Sequence, residues 1–560
     1  MDNYAIADNF SLIAKLMDIH GDNPFKAKSF ANAAFQIEKL TVPLKETPPA
    51  DIFRIKGIGE STGKIVMEML ETGDCNALQA YLAKTPAGIL DMMRIKGLGP
   101  KKIATIWKEM EIEDLGELLY ACNENRLLLL KGFGQKTQES IRQAIEFFLS
   151  NRERYLFAEI TTFAQQLEAA LQQQFPGTAV ALSGAFRRNQ PVIDELEVVI
   201  AAPLEEILEK IKTLQGLTIL ENTDNAIFLQ HDHGIKIKLY GCAPAYFAQQ
   251  LFVTTGTEAF LEQFYAVAGK DVLTGVNSEA EIFSRANMAF IDPCLREGGD
   301  IIALASQHAL PELIDVKDIK GIIHSHSQWS DGLESLETMA IAARDQGFEY
   351  LVISDHSRSA FYANGLSIER IAAQHQQIDE LNAKLAPFKI FKSIEADILN
   401  DGSLDYPDEV LRSFDLVIAS VHSNLKMPQE KAMTRLLKAI ANPYTTILGH
   451  MTGRLLLSRN GYPVDHDMII DACVAHKVVI ELNAHPRRLD IDWQYIAGAI
   501  GKGALLSIDP DAHAISGYKD IYYGTLAARK GGMSRTNNLS SFSRSELEAF
   551  LAERRALRQI

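Results

Sequence analysis

Apolar residues recur every third or fourth position through the first 150 residues, and stretches such as 6–19 and 27–40 predict amphipathic helices. The pattern then changes. Residues 157–175 keep a helical period, but Ala179-Val-Ala-Leu, Leu196-Glu-Val-Val-Ile-Ala and Ile235-Lys-Ile-Lys-Leu-Tyr read as short strands. In the C-terminal half, solid apolar runs alternate with helical stretches such as 336–347 and 468–476. Strand–helix repetition of this kind predicts a parallel α/β barrel. The chain therefore reads as multidomain, with a helical part, an α+β part and an α/β part.

The apolar runs of the last part end in ligand-type side chains. Residues 321–332 read Gly-Ile-Ile-His-Ser-His-Ser-Gln-Trp-Ser-Asp-Gly, and on a strand His324 and His326 would leave one face as an i, i+2 chelate, with Asp331 in the following turn. Tyr350-Leu-Val-Ile-Ser-Asp355-His356 and Ser393-Ile-Glu395-Ala-Asp397 follow the same plan. So do the runs ending at His422, His450 and Asn483, and the one leading to Asp511 and His513. Polar groups at the carboxyl ends of parallel strands are the layout of a barrel active site. Imidazole and carboxylate donors together suit zinc, manganese or iron.

With those residues in place, the region from 316 to 560 resembles the PHP family (polymerase and histidinol phosphatase), which implies a distorted (β/α)7 barrel binding two to three divalent ions (Mn, Zn or Fe). The resemblance assigns as ligands His324, His326, Asp331, His356, Glu395 (a bridging carboxylate), His422, His450, Asp511 and His513. It also places Asn483, Arg454 and Arg488 near the metal cleft, with at least one arginine holding substrate phosphate as a guanidinium fork.

The helical part carries its own repeat. Phe53-Arg-Ile-Lys-Gly57-Ile-Gly59, Met93-Arg-Ile-Lys-Gly97-Leu-Gly99 and Leu129-Leu-Lys-Gly132-Phe-Gly134 share the pattern apolar-x-Lys-Gly-apolar-Gly, and a helix follows each. These resemble helix–hairpin–helix motifs, whose glycine turns leave backbone amides free at a helix N-terminus to hold phosphate. Lys101, Lys102 and Lys136 lie just beyond and add charge. Sequence-independent binding of the DNA backbone is the expectation.

The N-terminal segment and the middle of the chain resemble the family X DNA polymerases. In that family a Schiff-base lysine follows the first hairpin; the matching position here is Ile65, with Lys64 beside it. Gly184-Ala-Phe-Arg187-Arg188 is similar to the family's nucleotide motif. Its magnesium-binding Asp-x-Asp becomes Glu195-Leu-Glu197, and its third Asp becomes Lys238. An ammonium facing two glutamates, within salt-bridge reach, disfavours magnesium at the palm, so polymerase activity is expected to be lost. The domains expected are 1–85 (N-terminal helical, first hairpin), 86–150 (fingers-like, two further hairpins), 151–246 (degenerate palm), 247–313 (thumb) and 316–560 (PHP).

Composition changes this picture in two places. The net charge of −16 over 560 residues argues against strong nonspecific DNA binding, so contact must be local. Five cysteines without CxxC spacing, no basic N-terminal leader and no apolar run of membrane length point to a cytoplasmic protein without membrane attachment. The leading expectation is a monomeric, DNA-binding, metal-dependent 3′–5′ exonuclease acting on gapped or 3′-end structures in repair. The alternatives are a bifunctional family X polymerase and exonuclease, a small-molecule phosphatase of the histidinol-phosphatase type, and a DNA-binding scaffold with a structural metal cluster.

Overall fold

The structure is a computed structural model and describes residues 1–40, 42–151, 153–232 and 234–557. The chain divides into two compact units, Met1–Arg152 and Glu153–Ile560.

The first unit is helical. Asp2 caps Asn3–His20 by accepting from the Ala5 amide at 2.8 Å, and Gly21 ends the helix in a left-handed conformation. Asn23 caps Pro24–Glu38, with Pro24 at the first position, where its missing N–H costs nothing. One apolar cluster gathers Phe10, Ile13, Phe30, Ile37, Val66 and Met69; a second gathers Ile89, Met92, Ile103, Ile106, Leu118, Ile141 and Ile145.

The second unit begins with a short antiparallel pair, β1 (Tyr155–Leu156) with β3 (Val192–Ile193). Then comes a sheet of β2 (Val180–Ser183), β4 (Glu195–Ile200), β5 (Leu217–Asn222), β6 (Ile227–His231) and β7 (Lys236–Gly241), in the order β2-β4-β7-β6-β5. β4 and β7 run parallel, and the other neighbours are antiparallel. Helices Phe247–Thr255, Glu258–Ala268, Glu279–Arg285 and Ile301–Ser306 follow, packed around Phe252, Phe260, Phe264 and Phe283. Arg296 is fully buried among them, paired with Glu279 and lying over Phe252, Phe283 and Phe290. A buried charge survives only when paired in this way.

The C-terminal part is a parallel sheet in sequence order: β8 (Gly321–Ser325), β9 (Tyr350–Ile353), β10 (Lys389–Asp397), β11 (Leu416–Ser420), β12 (Ile447–Leu448), β13 (Val479–Asn483) and β14 (Leu506–Asp509). It curls into a barrel that a Ser325–Ala512 bridge closes. The His326 amide donates to the Ala512 carbonyl at 2.8 Å, and the Ala512 amide to the His324 carbonyl at 3.2 Å. Strands covered on both faces explain the unbroken apolar runs. Ile322, Leu351 and Ile480 pack outward under the helices, while Ile323, Val352, Phe391, Ile418, Ile447 and Val479 fill the interior.

The interior is plugged from below. Leu547 and Leu551 of the helix Arg544–Leu557, with Leu539, complete its apolar core. The Arg554 guanidinium donates to the carbonyls of His476 and Lys477 at 2.8 and 2.7 Å and to that of Thr445, all in turns leading into strands. The barrel also docks on the two preceding parts. Buried Lys530, closing the helix Ile521–Lys530, donates to the Arg188 carbonyl at 3.0 Å and pairs with Glu297. Arg529 reaches Asp292 at 2.9 Å.

Leu551→Ala would leave a cavity beneath the metal-ligand cluster and is expected to cost about 2–5 kcal/mol of stability. The thermal unfolding midpoint and protease resistance of the 153–557 region should fall; an unchanged midpoint would mean that the C-terminal helix is dispensable.

Candidate metal centre

The strands' carboxyl ends converge on Glu395, which is 1% exposed. Its Oε1 lies 3.0 Å from His450 Nε2, 3.1 Å from His422 Nε2 and 3.3 Å from His324 Nε2. Its Oε2 lies 2.9 Å from His356 Nδ1 and 3.8 Å from His326 Nε2. Asp511 Oδ1 stands 3.1 Å from His326 Nε2 and 3.5 Å from His324 Nε2. Asp331 Oδ2 stands 3.6 Å from His356 Nε2 and 3.5 Å from His513 Nε2.

His324 and His326 do converge, with ring centroids 5.3 Å apart, but not by simple strand alternation. His324 has φ +60°, and the β8–β9 register shifts between Ile322 and Ser325. This bulge lets Ile323 fill the barrel floor while the next residue still reaches the centre. Asp511, at φ +52°, is turned by the same device. A non-glycine residue pays about 1–2 kcal/mol for that conformation.

Carboxylates stand behind the histidines. Glu481 pairs with His324 Nδ1 and accepts the His450 amide at 2.6 Å. Asp397 lies 2.5 Å from His422 Nδ1. Such contacts fix the tautomer and turn the other ring nitrogen toward the centre. Buried Asp355 accepts the Ser327 and Ser330 amides at 2.8 and 3.1 Å and Gln374 at 2.7 Å, holding the loop that carries Asp331. Asn483 Nδ2 donates to Glu481 and Asp511, each at 3.2 Å, so it ties two carboxylates together.

The electrostatics follow from that crowding. Burial alone would strip the His422 proton, but Glu395 and Asp397 outweigh it and lift His422 to about 10. Burial, then His513 and His356, drive His326 down to about 3. Burial opposes charge on Glu395 too, yet His422, His324 and His356 hold it well below the carboxylate range.

The donor set fits divalent cations. His324 Nε2, His326 Nδ1, His356 Nδ1 and Glu395 Oε2 are buried without a hydrogen-bond partner, at about 1–3 kcal/mol apiece. His356 Nδ1 and Glu395 Oε2 come within 2.9 Å without hydrogen-bond alignment, as two ligands of one ion would. Among the described residues, three overlapping groups have ligand atoms within 4.8 Å of one another: His326, Asp331, His356 and His513; His324, His326 and Asp511; and His356, Glu395 and His422.

The two arginines part company. Arg488 Nε lies 3.5 Å from Asp511 Oδ2, at the centre's edge. Arg454, expected beside it, is spent on the neighbouring loop: Nε donates to the Arg488 carbonyl at 2.8 Å, and its terminal nitrogens bind Asp492 and the Leu489 carbonyl. With three of its five N–H groups so engaged, Arg454 is held on the 488–492 loop, and Arg488 is the arginine at the centre's edge.

The hairpins hold Gly57, Gly97 and Gly132 at φ +88°, +88° and +91°. Gly59, Gly99 and Gly134 cap the helices Glu60–Thr72, Pro100–Met110 and Gln135–Ser150, and a Cβ on any of these three would meet nothing within 4 Å. The three turns thus leave room for another backbone to approach, although the Gly59 amide already donates to Thr62 Oγ1 at 2.9 Å and Pro100 has no amide to offer. Lys101 and Lys102 lie in the first turn of the second helix and Lys136 in that of the third. Lys64 pairs with Glu60 at 2.8 Å, and Ile65 packs against the core.

In the α+β sheet, the β4–β7 register sets Glu195 beside Lys236 and Glu197 beside Lys238. The expected Lys238–glutamate ion pair does not form. Tyr240 donates to Glu197 at 2.8 Å, and the Lys238 ammonium lies over the rings of Phe228 and Tyr240 at 5.2 and 4.9 Å. Glu197 also packs against Gly184 so closely that a Cβ there would come within 1.8 Å of its Oε1. Arg187 pairs with Glu279 at 2.5 Å, and Arg188 with Glu297 at 2.9 Å.

Residues 1–75 match the family model "Helix-hairpin-helix domain", and residues 89–146 match "SAM-like Helix-hairpin-helix tandem". Over 558 residues the chain is 33% identical to the "DNA polymerase/3'-5' exonuclease PolX" of Bacillus subtilis, covering 96% of this chain and 97% of that protein. The chain belongs to the bacterial family X DNA polymerases with a C-terminal PHP domain. A probable phosphatase of Vibrio campbellii is 26% identical over 214 residues (35% of this chain, 78% of that protein), and one of Caldanaerobacter subterraneus 25% over 175 residues (29% and 62%). About a third of the chain is thus similar to proteins named as probable phosphatases.

Sequence reasoning passed over Glu481 and Asp397 as partners of the centre. The signal was present for Glu481, an acid inside an otherwise apolar strand, which is costly unless something faces it.

Glu395→Gln removes the carboxylate charge that the surrounding imidazoles share. Bound manganese or zinc, measured by mass spectrometry, should fall by at least one equivalent, and phosphodiester hydrolysis should drop by about a thousandfold or more. Unchanged hydrolysis would refute a bridging role for this residue.

Proposed function

We propose that this protein trims DNA 3′ ends through its barrel, as a metal-dependent phosphodiesterase whose hairpins hold the DNA backbone. The reading rests on the convergence of buried imidazoles on Glu395, several with ring nitrogens that have no hydrogen-bond partner. His324, His326, Asp331, His356, Glu395, His422, His450, Asp511 and His513 are the proposed ligands. Two to three manganese, zinc or iron ions bound there would acidify water and neutralise phosphate charge. Glu481 and Asp397 orient the histidines. Arg488 grips a phosphate oxygen of the substrate, and Asn483 keeps Asp511 in place.

The Bacillus relative bears the name of a 3′–5′ exonuclease, which supports the reaction direction. The open Gly59, Gly99 and Gly134 turns support backbone contact with gapped or 3′-ended DNA, which needs no base recognition. We further propose that the protein works as a cytoplasmic monomer; among the described residues no helix is long and apolar enough to cross a membrane.

Polymerase activity is lost in this reading. Glu197 is folded onto Gly184 and Tyr240, Lys238 stands where a third carboxylate would bind a cation, and Arg187 and Arg188 are paired to the following helical part. A bifunctional polymerase and exonuclease is the second reading, favoured by the full name of the Bacillus relative.

A labelled primer–template with Mn²⁺ decides between them. Shortening is expected with or without dNTPs, and extension that survives Glu395→Ala would refute the loss of synthesis. Arg488→Ala should raise KM about ten- to hundredfold, the loss of a hydrogen bond to a charged oxygen. Gly97→Val with Gly99→Val should weaken binding to long DNA yet spare a small chromogenic phosphodiester; equal loss on both would indicate misfolding.

A further inference from the structure

The segment 357–366 follows His356 and rims the centre. Ala360 and Ala363 are each 1% exposed and anchor it, yet Phe361 between them is 88% exposed and Tyr362 is 72% exposed. The segment is firmly held. The Ser359 amide donates to Asp405 at 2.9 Å, the Arg358 amide to the Tyr406 hydroxyl at 3.1 Å, and the Leu366 amide to the His356 carbonyl at 2.9 Å. Arg370 fixes the Asn364 carbonyl at 2.7 Å. Two large rings are therefore displayed on a rigid support, at a cost in exposed apolar surface that folding does not require.

Their place gives the display a purpose. The Tyr362 ring centroid is 6.3 Å from that of His356. Around the centre, the side chains of His324, Glu395 and His450 are at most 1% exposed, whereas Asp331 is 31% and His513 40% exposed. Substrate thus enters on the Asp331–His513 side, where His356 and Tyr362 form the adjoining wall. Arg358, exposed on this segment, offers a cation for a neighbouring phosphate.

We propose that Phe361 and Tyr362 are a stacking platform for the base of the 3′-terminal nucleotide, positioning its phosphodiester over the centre. This rests on the 3′-end reading given above. A π-face accepts any base, so the platform adds affinity without sequence preference, and it explains how a trimming enzyme can treat all four nucleotides alike. Both residues are positioning groups for the substrate and take no proton.

The test uses the full chain loaded with Mn²⁺ and two single-stranded oligonucleotides, one natural and one ending in a 3′-terminal tetrahydrofuran residue that lacks a base. Phe361→Ala with Tyr362→Ala should lose about tenfold or more in kcat/KM on the natural end, mainly through KM. On the baseless end it should match the unmodified protein. Phe361→Trp with Tyr362→Phe should retain activity on both, and bound manganese should be the same in all three proteins. Equal loss on both oligonucleotides, no loss on either, or a fall in bound manganese would each overturn the platform. An unmodified protein that shortens neither oligonucleotide would overturn the 3′-end reading itself, and the platform with it. Shortening unaffected by the alanine pair would remove the platform alone.

Discussion

Glu395 is the constraint on which the barrel depends. A carboxylate almost out of water, ringed by five imidazoles, is tolerable only if charge is balanced at short range. The surroundings are built around that requirement. Bulged backbone at His324 and left-handed Asp511 bring donors inward, Glu481 and Asp397 anchor the rings from behind, and Asp355 fixes the loop of Asp331. Each of these features is costly in isolation and coherent only as part of one ion-binding site.

The barrel was legible because its strands are buried on both faces, so their apolar runs stand out, and because ligand-type residues recur at the ends of those runs. The hairpins were legible for a different reason: Gly57, Gly97 and Gly132 take conformations that favour glycine. What stayed hidden depends on contacts between distant parts of the chain. The fate of Arg454 is set by Asp492 and by carbonyls of residues 488 and 489, a loop whose path no periodicity reveals. Strand alternation predicted the convergence of His324 and His326 but not the bulge that achieves it. Lys238 shows the limit most clearly. Its register neighbour is Glu197, yet Tyr240 takes that carboxylate and the ammonium settles over aromatic rings.

The middle of the chain also joins the parts of the second unit. Arg187 and Glu279, with buried Arg296, join the α+β sheet to the helices that follow. Arg188, Glu297 and Lys530 then fasten both to the barrel. Arg187 and Arg188, which resemble part of a nucleotide-binding motif, thereby also hold these parts together.

Closure of the barrel has a consequence for the order in which the protein is made. His326 and Asp511 meet across 185 positions, and the bridge between Ser325 and Ala512 completes the ring. A growing chain exposes its helical hairpins on the ribosome long before β14 emerges. For that interval it lacks Asp511 and His513, so the cluster around Glu395 is the last part of the molecule to be completed.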